Sequence, residues 1–454
     1  MSSVRRELSA QIWLAGPLAA QQLGFVLMGL VDTAILGRYH PDALAGSGIG
    51  NSLLFALTSI GLGVVLGLDP LLAQALGAGE RWRTPQLVRD GVAVAVRLGA
   101  ALSLMIMAMP LLLDVAGVEP AVADEARVYV YARIPGVVPF LMQIAYRAAL
   151  QAHGHTRPLL IAVVVGNLVN AALVIALVFG VPALGIPALG SIGAALATSL
   201  VGVATAFYYA AAVGVIGRAL PPPPPTDVPR PPATRELLRV GTPIGLQLAA
   251  EVGAFALASV LAGRLGKIPA AAHQISIQLA STSFAIALGL GATAAVRVGL
   301  AVGAGDHRAA RRAGLVTLGL GAAVMSSSAT LFLIAPGHLA SIFGSTDEVL
   351  LAALPLIQIA AVFQLSDGAQ AIAAGALRGA GDTRASFLAN LGGHYVLGVP
   401  IAIGLGFGLE WGAPGLWWGL TCGLTATGLA LVARFVWLTR RPIARVEAPV
   451  TPGP

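Results

Sequence analysis

Three carboxylates stand inside long apolar runs: Asp32, Glu251 and Asp367. A charged side chain at mid-membrane costs about 2.5–3.5 kcal/mol on insertion scales, so such groups usually face a cavity or a partner. Helical spacing sets each acid on a stripe with amides or aromatics. Gln22, Phe25 and Gly29 precede Asp32 by ten, seven and three residues, and Gln247 lies one turn before Glu251. Phe363 and Gln364 precede Asp367, and Gln370 follows it. Gln274, Gln278 and Ser281 add a polar stripe at spacings of four and three. Burial penalises the charged form of a carboxylate, so it can hold a proton in one conformation and release it in another. It can also take a lipophilic cation in place of the proton. That is the chemistry of exchange: ion and organic cation compete for, or are coupled through, one negative charge.

A lone buried acid can instead cap a helix break or pair with an arginine such as Arg147, Arg297 or Arg378. None of the three acids has a basic residue at helical spacing, and the three together argue against that reading. Those arginines approach the cytoplasmic ends of their segments and are expected to snorkel to the surface. Asp69, just before Pro70, reads as interfacial, and His273 and His394 read as hydrogen-bonded structural residues. The single cysteine, Cys422, excludes an internal disulfide and a thiolate metal cluster.

Composition places these residues in a membrane. Hydrophobic residues make up 57% of the chain and charged residues only 10%, where a soluble domain carries roughly 25% charged residues. Mean hydropathy is +0.84. Twelve stretches reach the ~20 apolar residues that a spanning helix needs: 10–35, 43–68, 90–113, 124–150, 158–180, 187–214, 236–262, 271–300, 312–335, 348–376, 385–408 and 413–438. The fourth carries Pro135 and Pro139, and the join from Gly180 to Gly190 has the Gly and Pro content of a tight turn. With both termini cytoplasmic, only Arg38, Arg127, Arg133, Arg264 and Lys267 fall outside, leaving 22 of 27 basic residues on the cytoplasmic side. This is the positive-inside pattern, and it assigns the net charge of +7 to topology and to anionic headgroups rather than nucleic acid. The first apolar run is too long for a cleavable signal peptide, and no small-residue cleavage site follows it.

The chain also repeats itself. At an offset of 226, Pro17 falls on Pro243, Gln21 on Gln247, and Leu76-Gly77-Ala78-Gly79-Glu80 on Val302-Gly303-Ala304-Gly305-Asp306. At 227, Leu150 to Arg157 falls on Leu377 to Arg384, with Gly154-His155-Thr156-Arg157 over Gly381-Asp382-Thr383-Arg384. Repeated halves are how many transporters build two moving bundles. The acids do not repeat: Asp32 faces Ala258, Glu251 faces Phe25, and Asp367 faces Phe140. The expected organisation is all-α: a bundle over 1–217, a Pro-rich cytoplasmic linker over 218–234, a second bundle over 235–440 and a cytoplasmic tail over 441–454. Pro221 through Pro225, then Pro229, Pro231 and Pro232, favour a semi-rigid polyproline spacer.

Four segments together resemble the multidrug and toxic compound extrusion (MATE) transporters, in their bacterial NorM-like branch. They are Met28-Gly29-Leu30-Val31-Asp32-Thr33, Ala271-Ala272-His273-Gln274, Arg297-Val298-Gly299 with Gly303-Ala304-Gly305-Asp306, and Phe363-Gln364-Leu365-Ser366-Asp367 leading to Leu377-Arg378-Gly379. The resemblance covers residues 8–440. It implies two six-helix bundles in a V around a central cavity, in a monomer of the bacterial inner membrane. It also implies export of amphiphilic cations in exchange for inward protons or sodium. Asp32, Glu251 and Asp367 match the acids of the first, seventh and tenth helices. Asn170 matches a fifth-helix amide and Thr198 a sixth-helix hydroxyl of the N-terminal cation site. A sodium ion would sit at Asp32, Asn170 and Thr198, or at Glu251 and Asp367. Val174 stands where several relatives have a second acid, and Phe363 where some sodium-coupled relatives have Tyr. Both withhold oxygen, which favours protons. Gln22, Phe25, Gln247, Gln274, Gln278, Ser281, Phe363 and Gln364 are the expected lining of the substrate cavity.

Other readings fit less well. A lipid-linked oligosaccharide flippase of the same architecture would favour a cationic cavity for pyrophosphate, whereas the buried charges here are acidic. A membrane-embedded metalloenzyme would need a pattern such as H-E-x-x-H, and a nucleotide-driven pump a G-x-x-x-x-G-K-[ST] loop. Neither occurs, and no cofactor is expected. A reporter fused between Pro221 and Pro232 is expected to read as cytoplasmic, and a periplasmic signal from it would overturn the topology.

Overall fold

A computed structural model describes residues 3–111, 113, 119–222, 232–344 and 346–446. Its described residues are helical apart from turns and one isolated bridge between Val181 and Ile186. Twelve helices are long and apolar enough to cross a membrane. In chain order they are α1 Arg5–Tyr39, α2 Pro41–Gly77, α3 Arg81–Ala108, α4 Pro120–Ala152, α5 Arg157–Phe179 and α6 Gly190–Arg218, then α7 Thr234–Arg264, α8 Lys267–Gly303, α9 His307–Ile334, α10 Asp347–Ala380, α11 Thr383–Gly408 and α12 Ala413–Leu438. The chain is a multi-pass membrane protein. The Pro-rich stretch over 223–231 and the tail beyond 446 lie outside the described residues.

Local chemistry explains the interruptions. Pro135 breaks α4 into two α-helical pieces joined by a single 3-10 turn, Ile134–Gly136, because proline removes an amide donor and its ring crowds the preceding turn. The expected tight turn after α5 is present: Gly180 and Gly185 adopt φ of 76° and 68° around the bridge. α2 runs past the expected end at residue 68. It restarts at Leu68 after an interruption at Gly67 and carries Asp69 in the first turn of that new piece, where a negative charge suits the helix dipole.

The sequence repeat is a repeat of helix ends. Gly79 and Gly305 adopt φ of 80° and 73°, and Gly154 and Gly381 adopt 73° and 82°. Each closes its helix by the same pair of bonds. The residue after the glycine donates to the carbonyl five residues back: Glu80 to Ala75 at 2.9 Å, Asp306 to Ala301 at 3.0 Å, His155 to Leu150 at 2.8 Å and Asp382 to Leu377 at 2.9 Å. This is the Schellman end, and its left-handed residue is most often glycine. Two stretches in each half were thus kept because they stop helices.

Compactness divides the chain within helices. One unit is Met1–Gln22 with Leu246–Pro454; the other is Leu23–Gly245. The division therefore does not follow the 218–234 linker, because the first turns of α1 and α7 pack outside the bundles that their later residues join. Inside the Leu23–Gly245 unit, Gly63 and Gly67 of α2 meet Gly241 and Gly245 of α7 backbone to backbone. Inside the other, Gly289 of α8 meets Ala19 of α1. Gly289 and Gly63, and Gly245 and Ala19, are each 226 residues apart, so one small-residue crossing serves both units. Close backbone approach of this kind is what holds helices together in lipid, where apolar burial gives no drive.

The start of α1 is fixed by charge. Glu7 receives Arg297 Nε at 2.9 Å and Arg297 Nη2 at 2.6 Å. Gln11 Nε2 donates to Glu7 Oε1 at 3.1 Å and to the Ala313 carbonyl at 2.8 Å. Arg297 therefore does not snorkel to the surface as expected; it is half of a bidentate ion pair.

α8 and α10 approach most closely at glycine. A Cβ on Gly375 would collide with the Gly291 carbonyl, and one on Gly379 with the Ala295 carbonyl. Gly375→Leu is expected to destabilise this unit by ~1–3 kcal/mol, the usual cost of overpacking. The check is the apparent melting temperature of the detergent-purified protein, and an unchanged value would contradict the packing.

Candidate functional site

The carboxylates occupy two separate constellations, one in each unit. In the Leu23–Gly245 unit, Asp32 is carried by the second half of α1. Asn170 Nδ2 on α5 donates to its Oδ1 at 2.6 Å, and Thr198 Oγ1 on α6 donates to its Oδ2 at 2.8 Å. Each carboxylate oxygen thus has one neutral donor. Arg133 acts on Asp32 only through its field, with no ion pair among the described residues. Asn170 is fully buried, and its Oδ1 has no hydrogen-bond partner. Thr198 has a second acceptor in reach, the Ala194 carbonyl at 3.1 Å, although its hydroxyl has one hydrogen. Val174, one turn beyond Asn170, is buried with Val178 and Ala194, so apolar packing fills the place of a further ligand.

In the other unit, Glu251 of α7 and Asp367 of α10 are both buried. Gln370 Nε2 of α10 donates to Glu251 Oε2 at 3.3 Å, and Asn390 Nδ2 of α11 approaches the same oxygen at 3.5 Å, a weak contact. The amide oxygens of both, Gln370 Oε1 and Asn390 Oδ1, are buried without a partner. Gln364 is fully buried with neither side-chain atom satisfied, and both His394 ring nitrogens are unpaired. Buried polar atoms are satisfied in the large majority of cases, and these are exceptions. α11 changes from α to π geometry over Gly392–Gly398, starting just after Asn390. Such widened turns recur at functional sites. Tyr395, within the π turn, donates its hydroxyl to the Ala250 carbonyl at 2.8 Å and holds the backbone beside Glu251.

The family described as MatE matches residues 17–176 and 243–403, one match in each half of the chain. A probable multidrug resistance protein NorM of Pseudomonas putida is 36% identical over 459 residues, covering 98% of both chains. A multidrug resistance protein NorM of Burkholderia vietnamiensis is 36% identical over 441 residues, covering 95% of this chain and 94% of its own. The chain belongs to the MatE family, a family of transporters rather than enzymes. A crystal structure of a eukaryotic MATE transporter superimposes with a TM-score of 0.88 at 22% identity, over 98% of this chain and all of the other. That likeness establishes the twelve-helix, two-lobe MATE fold.

Set in this MatE frame, the sequence-predicted residues separate by environment. Asp32, Asn170 and Thr198 converge as expected. Glu251 meets Gln370 and Asn390, which sequence reasoning did not place in the site, and Asp367 is buried in the same unit. An amide inside the eleventh apolar run was the available signal for Asn390. Of the expected cavity lining, Gln274, Ser281 and Phe25 are exposed, and Gln22 and Gln278 are half-buried. Phe363, Gln364 and Gln247 are instead interior. Phe363 packs edge-on against Phe255 and Trp417, with ring centroids at 6.1 and 5.6 Å. His273 joins that cluster, stacked edge-on at 5.8 Å from Trp417 and 3.1 Å from the Ser259 hydroxyl, as a structural histidine does. Among the described residues no group of three His, Cys, Asp or Glu could hold a metal.

Asn390→Leu is expected to leave the protein folded and to lower transport by about tenfold, the scale of losing a polar contact to a charged group (~1.5–3 kcal/mol). Dye efflux from cells with matched membrane expression checks this. Wild-type efflux would remove Asn390 from the site.

Proposed function

We propose that this chain is a secondary active multidrug efflux antiporter of the bacterial inner membrane. It exports amphiphilic cations in exchange for inward protons by alternating access, with both termini in the cytoplasm. Its MatE membership and its NorM relatives, named for multidrug resistance, support the export reading. The exposed and half-buried polar residues Gln274, Gln278 and Ser281 support a wet path for substrate, because a polar stripe in lipid would go unsatisfied.

The observation that carries proton coupling is the hydroxyl of Thr198, poised between two acceptors. With Asp32 ionised, that hydroxyl donates to Oδ2. A proton arriving on Oδ2 reverses the bond: the carboxylic acid donates to Thr198 Oγ1, and the threonine hydrogen turns to the Ala194 carbonyl. Both states satisfy every hydrogen, so the proton is accepted without an orphaned donor. Losing the charge on Asp32 also removes its attraction for an organic cation, which links proton entry to drug release.

Sodium coupling is the second reading, favoured by the unpartnered oxygens Gln370 Oε1 and Asn390 Oδ1 beside Glu251. A hard cation wants several such oxygens. Drug efflux from energised everted vesicles, with an imposed pH gradient and no sodium, distinguishes the two. Efflux that stays at baseline there and starts on a sodium gradient alone would sink the proton assignment. Asp32→Asn, Glu251→Gln and Asp367→Asn are expected to insert normally, since removing a buried charge relieves an insertion cost. Efflux should fall sharply in at least two of the three. Thr198→Val should lose about tenfold, and Thr198→Ser should recover most of it.

A further inference from the structure

The first turns of α9 and the residues just after α12 line an open cleft of about 610 Å³, with His307, Arg308, Arg311, Arg312, Thr439 and Arg440 around it and Leu315 and Val316 on its apolar wall. We infer that this cleft binds the phosphate headgroup of an anionic membrane phospholipid. Arg308, Arg311 and Arg440 form no ion pair among the described residues, so four like charges share one cleft with little to offset them. Arg312 feels the Glu7 charge, but its Nε is buried without a hydrogen-bond partner. The nearest acid in sequence, Asp306, is engaged in capping α9, its Oδ1 accepting the Ala309 amide at 2.8 Å. Guanidinium forks are suited to phosphate oxygens.

Depth and shape favour a lipid over a free anion. Exposed Trp411 and Trp437 stand at the two ends of α12, as the aromatic belts of membrane helices do. Trp437 lies three residues before Arg440, so the cleft sits at headgroup level. Arg434 is excluded from the count because Asp382 pairs with it at 2.7 Å and Trp437 stacks beneath it at 4.7 Å. Leu315, exposed one turn inward from Arg311, continues the wall towards the hydrocarbon region, where an acyl chain would lie. Basic pockets between helices at the membrane surface are known headgroup sites. A lone phosphate would use neither that wall nor so large a volume.

The test is native mass spectrometry of the full chain from detergent, titrated with phosphatidylglycerol, phosphatidylcholine or inorganic phosphate. Phosphatidylglycerol should bind at least about tenfold more tightly than phosphatidylcholine. That preference should fall to near parity in Arg311→Gln/Arg440→Gln, with millimolar inorganic phosphate failing to displace the lipid. Equal binding of the two lipids by the wild-type chain, or an unchanged preference in the double variant, would overturn the site. Displacement by inorganic phosphate would reassign it to a free anion and overturn the lipid proposal. The wild-type comparison decides the matter even where the variant does not fold.

Discussion

An acid placed inside a membrane helix must be stabilised without being locked, and the treatment of Asp32 depends on that constraint. The chain shows both solutions. Glu7 is held by a bidentate guanidinium from Arg297, a structural tie between α1 and α8. Asp32 is held by an amide and a hydroxyl, both neutral. Neutral donors stabilise the charge less than a guanidinium would and leave room for a proton or a cation to compete for it. A basic residue at the place of Asn170 would instead lock the charge as Arg297 locks Glu7.

Duplication supplied the frame, and divergence supplied the sites. Left-handed glycines at Gly79 and Gly305, and at Gly154 and Gly381, stop matching helices in the two halves. The same small-residue crossing recurs at Gly63 with Gly245 and at Gly289 with Ala19. None of these positions is Asp32, Glu251 or Asp367, so the shared helix ends and crossings are separate from the three acids. In one unit a single acid meets an amide and a hydroxyl on regular helices. In the other, Glu251 meets two amides beside the π turns of α11, whereas its repeat partner α5 is an unbroken α-helix.

The fold was legible because lipid imposes it: composition, twelve apolar runs and the two offsets leave few alternatives to a duplicated twelve-helix membrane protein. The acids were legible for the same reason, as charges where charges are costly. Direction was not. On a soluble helix the polar face points outward, but a membrane helix is apolar all round, so a stripe through Phe363, Gln364 and Asp367 does not say which way it faces. All three are buried, and Phe363 enters the aromatic cluster around Trp417. Asn390 escaped for a related reason, since the π turns following it break the 3.6-residue period by which faces are read. The partner of Arg297 lies 290 residues away, beyond any local pattern.

The same physics bears on the choice of ion. A proton needs one basic oxygen and a neighbour that can reverse its hydrogen bond, and Thr198 beside Asp32 meets that need. Sodium needs a shell of oxygens held at fixed distances. Around Asp32 the positions that would complete such a shell are filled by carbon, with Val174 buried among Val178 and Ala194. Around Glu251 stand two amides whose oxygens are orphaned. The two units therefore differ in the oxygens that surround their acids. On the proposed reading the proton is handled where oxygens are fewest, because a shell too poor for a metal ion is what makes a carboxylate selective for a proton.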